Sequence, residues 1–160
     1  MYICYINIDF FQLTNYLLDK GNKTMADKES KYEIMQLYPH TFDGHTLKRI
    51  RATKEFILND GTVIKKGQYG GYVEYECNLS QNSNSWIADK ARCYGNAKVT
   101  DGAIVKGCAT VKDFSIVGGH ATVQDYAVIK GNSLIGGLVK IIGNTELKNA
   151  KLFDNVTVNG

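Results

Sequence analysis

Proline is nearly absent from this chain: Pro39 stands alone among 160 residues. With 16 glycines present, chain reversals fall to Gly, Asn and Asp, which reach positive φ or bond their own backbone. Long hydrophobic runs are missing as well, so no segment is expected to span a bilayer. The stretch from Met1 to Leu18 is rich in Ile, Tyr and Phe, and Asp9 interrupts it. It lacks the basic start and small-residue cleavage site of a signal peptide. Met25-Ala26-Asp27-Lys28 reads as a second start. Residues 1–24 are then either an added helix or strand, or an upstream misread start.

Strong charge is lacking too. A net charge of +3 falls short of the clustered basic excess usual in nucleic-acid binders; composition alone neither excludes nor supports that role, and no nucleic-acid partner is expected. Cys4, Cys77, Cys93 and Cys108 show no C-x-x-C pair and no histidine at zinc-ligand spacing. No metal and no cofactor is expected, and the cysteines read as reduced structural thiols of a cytoplasmic protein.

What is present is a period of six. From Ile87 the chain steps through Cys93, Val99, Val105, Val111, Val117, Val123, Ile129, Ile135, Ile141, Leu147 and Phe153. All are apolar and nine of the twelve are β-branched, which neither a 3.6-residue helix nor plain strand alternation produces. Two residues after each stands Asp, Gly or Asn; four after stands Ala or Ser, as far as Ser133. Leu152-x-Asp154-x-Val156 suggests a one-residue slip in the last coil.

A six-residue side made of one short strand and one corner closes after three sides, so a coil takes eighteen residues. The expected fold is all-β: a hexapeptide-repeat parallel β-helix over residues 81–160. Residues 33–80 read as a small β-rich cap and link, and residues 1–32 as an N-terminal extension. Ile57 to Ile64, around Asn59-Asp60-Gly61, is a hairpin signal. Leu47 to Ala52 reads as a strand. Gly67-Gln68-Tyr69-Gly70-Gly71 matches no phosphate-binding motif and reads as a turn into the solenoid.

Leu47 to about Ile135 resembles a group of phage, prophage and bacterial hexapeptide-repeat proteins. The carrying residues are Leu47-Lys48-Arg49-Ile50-Arg51-Ala52, Lys66 to Val73, Asn78-Leu79-Ser80, Trp86-Ile87 and the hexads from Gly95-Asn96-Ala97 onward. The resemblance implies a left-handed β-helix with an N-terminal β cap, and no particular reaction. Better-known relatives by fold are trimeric hexapeptide acyltransferases, which place a histidine base at the subunit interface. His120, between Gly119 and Ala121, is the weak candidate for that role. No insertion interrupts the hexads to hold an acyl donor, and fold alone does not give function. His40 and His45 lie in a loop-like segment with no catalytic partner in view.

Residues eighteen apart stack, so outward positions form columns. Tyr94, Lys112, Lys130 and Lys148 make one, a candidate anion site or a plain soluble face. Ile116, Leu134 and Leu152 follow Lys98 in another, an apolar strip of the kind that marks a contact. Its expected occupant is a second subunit in a trimer, a folded-back N-terminal segment, or a host protein. Together these features point to a non-enzymatic scaffold or binding protein, of phage or mobile-element origin, in a bacterial cytoplasm. The alternatives are an acyltransferase and an anion- or nucleotide-binding module.

Overall fold

The structure, a computed structural model, describes residues 29–160. Their regular elements are β-strands, apart from one short 3-10 turn at Glu76–Asn78. The hexads wind into the expected solenoid, with three parallel sheets stacked coil upon coil. On the first face Cys93, Val111, Ile129 and Leu147 lie in register. On the second, Ile87, Val105, Val123 and Ile141 do. On the third, Val99, Val117 and Ile135 do. Those from Ile87 to Ile129 are wholly buried. Branched side chains suit such a stack because one rotamer fills the narrow interior without losing much freedom. Ala91, Ala97, Ala103, Ala109, Ala121 and Ala127 are buried at the corners, where a larger group would hold the strands apart.

The slip falls in the last coil. Ile135 pairs with Leu152, and Leu134 with Lys151; Ile141 pairs with Val158. Leu152 is therefore the inward residue of its coil and packs against the core. Phe153 points outward and is 46% exposed. The apolar column expected from Ile116, Leu134 and Leu152 accordingly loses its third member. A spacing of seventeen in place of eighteen exchanges inward and outward positions, because side chains alternate along a strand.

The cap consists of β1 (Tyr32–Ile34), β2 (His40–Phe42), β3 (His45–Ala52), β4 (Phe56–Ile57), β5 (Val63–Ile64) and β6 (Tyr69–Val73). It is continuous with the solenoid. Antiparallel β1, β3 and β6 lead directly into the first face, because β6 pairs in parallel with the strand Arg92–Cys93. Val73 stands in register with Cys93, and Leu79 bridges Val99. The stacking thus begins before residue 81, with two extra residues in this first coil.

Tyr69-Gly70-Gly71 is strand, where a turn was expected. The glycines are there for close approach. A Cβ on Gly70 would fall 2.6 Å from the Ile87 carbonyl oxygen, and one on Gly71 2.4 Å from that of Ala91.

Lys31 and Tyr32 close the N-terminal end. The Lys31 ammonium donates to the carbonyl oxygens of Ser80, Ser83 and Ser85, each at 2.7 Å. Tyr32 donates to the carbonyls of Glu76 and Leu79, and its ring meets Trp86 edge to face. Asn78 pins the next turn, accepting from the N–H of Glu74 and Tyr75 and donating to the carbonyls of Gly95 and Ala97.

The two cap hairpins lie on different faces of the prism. Hairpin β4–β5 covers the second: Asn59 donates to the Gly102 carbonyl, and Trp86 and Ile104 are buried although they point outward. Hairpin β2–β3 covers the start of the first. Among the described residues no hairpin covers the third.

Candidate functional site

Hairpin β2–β3 reverses through Asp43 and Gly44, whose φ values are 51° and 78°. Phe42 and His45 face each other across this two-residue turn. Asp-Gly suits such a turn because both positions need positive φ. The tip projects over the outer side of the first face, and there Asp43 meets the solenoid. Its Oδ2 accepts from the Tyr94 hydroxyl at 3.0 Å and from the Lys112 ammonium at 2.8 Å.

These bonds hold the tip over a cleft of about 360 Å³ lined by Phe42, Asp43, Tyr94, Thr110, Lys112 and Val128. Thr110 and Val128 are outward residues on neighbouring coils and form an apolar floor. Phe42 and Tyr94 stand edge to face with centroids 6.0 Å apart. The Arg92 guanidinium carbon sits 4.0 Å from the Phe42 ring centroid, and Arg92 Nε is buried without a hydrogen-bond partner.

Behind Tyr94, Glu74 is held by two donors. The Gly95 N–H lies 2.8 Å from Glu74 Oε2, and His45 Nδ1 lies 2.9 Å from the same oxygen. The His45 ring also packs on Tyr94, centroids 4.7 Å apart. His40 and His45 thus stand on strands, where a loop-like segment was expected, and the single carboxylate of Glu74 is the partner of His45.

The charges of the site follow from these contacts. The Lys112 ammonium, then the Tyr94 hydroxyl, holds Asp43 below the usual carboxylate range. Burial, then the bond to Asp43, pushes the Tyr94 phenol up to about 12. Asp43 in turn raises Lys112.

Each expected site residue has a definite place. Tyr94 is 2% exposed, covered by the hairpin. Lys112 pairs with Asp43, and Lys130 with Glu146 at 2.6 Å. Lys148 is exposed and in register with Lys130. Two of the three lysines of the column are thus paired with acids of the chain itself, and Lys148 has no ion pair among the described residues. His120 is exposed at a corner and does not line the cleft. Ile116 and Leu134 are in register on the third face between Lys98 and Lys151.

Cys93 and Cys108 carry free thiols, and burial raises that of Cys93. Cys77 is disulfide-bonded, so reduced thiols hold for these two alone among the described cysteines. No group of His, Cys, Asp and Glu able to hold a metal occurs among the described residues. No described helix is long and apolar enough to cross a membrane.

No protein-family model matches this chain, and no curated protein matches it.

Proposed function

We propose that this chain is a non-enzymatic binding protein that presents a small-molecule or side-chain recognition cleft on a rigid solenoid face. The observation that carries this reading is the double hold on Asp43 by Tyr94 and Lys112. It fixes a hairpin over the face, with half-buried Phe42 and Val128 bordering the cleft beneath it and Thr110 buried at its base. A preformed, mostly apolar cleft with a few polar groups at its lip is the usual form of a ligand site. The solenoid supplies rigidity, since every coil is tied to the next by backbone hydrogen bonds. The resemblance to phage and prophage chains supports a bacterial cytoplasm as its setting and a host protein or ligand as its target. The acyltransferase alternative rests on His120, which stands exposed and apart from the cleft.

The test is a ligand-observed fragment screen followed by backbone amide shift mapping on the full chain. Hits should shift Thr110, Lys112 and Val128 together. Binding confined to the surroundings of His120, or turnover of an acyl-CoA that His120→Ala abolishes, would sink the reading.

A second reading, compatible with the first, concerns self-association. We propose that the third face, which the cap hairpins leave free, is the seam of a trimer. Ile116 is 37% exposed there.

A further inference from the structure

We infer that the outer side of the first solenoid face reads an aromatic residue followed by an aspartate, and that hairpin β2–β3 lays its own Phe42-Asp43 there in place of a partner protein's turn. This rests on the reading of that face as a binding surface. It adds the chemistry of the partner and an autoinhibitory role for the cap.

The first argument is recognition. Two solenoid groups hold the Phe42 ring: the Arg92 guanidinium covers it at 4.0 Å, and Tyr94 meets it edge to face. Both contacts favour an aromatic ring over an aliphatic side chain. Two solenoid donors hold the Asp43 carboxylate, the Tyr94 hydroxyl and the Lys112 ammonium, and both bond to Oδ2. Asp113, the acid beside Lys112, accepts from the Gly131 N–H and is kept in its corner. Ring and carboxylate are thus read by solenoid side chains, as a side-chain pair from a second protein would be.

The second argument is attachment. Among the described residues His45, Thr46 and Leu47 pair with β2 alone, and the register of β3 with β6 begins at Lys48 opposite Val73. The hairpin is therefore a two-stranded ribbon projecting past its sheet, and such a ribbon has little stability of its own. Leu47, wholly buried, anchors the base. Beyond it Asp43 and His45 tie the tip down by side chains, to Tyr94 and Lys112 and to Glu74. Asp43 is 53% exposed, and an ion pair in that setting holds weakly. The ribbon can pivot about Leu47 without breaking the main sheet.

The third argument is what the docked tip leaves undone. A cleft of about 360 Å³ remains beneath it, and Arg92 Nε is buried with no acceptor. A donor covered but not bonded is costly. A partner turn that brings a carbonyl to this N–H gains what the chain's own tip forgoes. Tyr94 and Thr110 are 2% and 6% exposed, so the face is shut in this structure and opens only as the ribbon lifts.

The probe is a cyclised peptide of the His40–Leu47 sequence. It is added to the full chain carrying Phe42→Ala and Asp43→Gly, and backbone amide shifts are followed. Glycine keeps the positive φ that the turn needs at this position. The peptide should shift Arg92, Tyr94 and Lys112 together. The wild-type chain should bind it at least roughly tenfold more weakly, because its own tip competes at an effective concentration on the order of millimolar. Asp43→Asn in the peptide, or Lys112→Gln added to the variant chain, should each cost roughly tenfold. Asp43→Asn alone in the chain, the milder change, should admit the peptide with intermediate affinity, and it decides the matter if the double variant loses its native spectrum.

No shift at these three residues with millimolar peptide, in a variant whose solenoid amides keep their wild-type positions, would show that the hairpin is packing and nothing more. Equal affinity for the peptide with Asn would overturn the reading of the carboxylate. Equal affinity of wild-type and variant chains would show that the tip does not occupy the site. Fragment binding in the wild-type cleft is a separate measurement, so the cleft reading and this inference can fail one without the other.

Discussion

Asp101 Oδ2 accepts the backbone N–H of Gly119, 3.0 Å away and one coil further along the chain. Asp89 does the same to Gly107, Asp113 to Gly131 and Asp125 to Gly143. All four aspartates have positive φ, and so do all four glycines. Each corner thus needs a left-handed residue; the columns that begin at Asp89 and at Gly95 alternate glycine with Asp or Asn, whereas the third stacks Gly119 on Gly137. Two aspartates on adjacent coils would place carboxylates about 4.8 Å apart with one backbone donor to share. Glycine above aspartate leaves the donor free and the space empty. In two of the three corner columns the choice between Asp and Gly along the hexads thus follows the stacking, read down a corner and not along the chain.

Where glycine stacks on glycine the backbones approach closely, which makes Gly119→Ala costly. A Cβ there would stand 2.6 Å from the Gly137 nitrogen and 2.9 Å from its carbonyl oxygen, both backbone. Overlap and a strained φ together should remove about 3 kcal/mol. Asp101→Gly loses one exposed hydrogen bond but relaxes the corner, and should change stability by less than about 1 kcal/mol. Urea denaturation of the two variants checks the contrast; a Gly119→Ala chain as stable as Asp101→Gly would refute it.

Val117 is wholly buried between Val99 and Ile135. Val117→Asp places a carboxylate where no donor is within reach, and the interior is too narrow for it to turn toward water. The variant should show no cooperative thermal transition by circular dichroism. A soluble, cooperatively melting protein would mean that the register is mistaken.

Burial of Lys31, with a smaller push from Lys54, lowers its pKa from 10.5 to about 7. The unfolded chain then holds that proton more tightly than the folded one. Stability should rise as pH climbs from about 7 to 10.5, and the cost of burying the charge is fully present below 7. The three serine carbonyls around the ammonium offset part of this cost. Lys31→Met has no such titration. The difference between the two unfolding free energies, measured by denaturant at several pH values, should change by a few kcal/mol across this window. A constant difference would show that the carbonyls keep Lys31 charged throughout.

The solenoid was legible because its determinants are periodic. Ile87 to Ile141 repeat one environment, so each residue confirms the others. The slip was visible at Leu152 and Asp154, yet its consequence for the apolar column needed the pairing of Leu134 with Lys151. The cleft was half legible. Lys112 and Tyr94 fall out of the eighteen-residue stacking, and Asp43-Gly44 between Phe42 and His45 is a hairpin signal of the same kind as Asn59-Asp60-Gly61. What no local pattern contains is the docking of that hairpin on a face whose residues lie 51 and 69 positions away. Lys31 is the extreme case: its partners are backbone carbonyls, which carry no side-chain signature.

The third face supplies the remaining prediction, that the chain self-associates and that Leu134→Lys makes it monomeric. The first and second faces each carry a cap hairpin; Ile116 and Leu134 stand on the third, one above the other. Each leaves about 1 kcal/mol of burial unrealised when alone in water. Parallel prisms can set equivalent faces around a threefold axis, which brings Ile116 and Leu134 of three copies together. The same arrangement gathers the Lys98 side chains at one level and the Lys151 side chains at another. Their mutual repulsion is screened as ionic strength rises, so assembly should strengthen between about 0.01 and 0.15 M sodium chloride. Light scattering on the full chain should give a trimer mass that falls to one third in Leu134→Lys and grows more persistent on dilution as salt is added. The competing occupant, the apolar segment from Met1 to Leu18, lies outside the described residues, and a chain lacking residues 1–24 separates the two. Under the trimer reading it keeps its assembly. If Leu134→Lys retains the native mass while the shortened chain alone exposes apolar surface to a dye, the seam is elsewhere and the N-terminal segment covers this face.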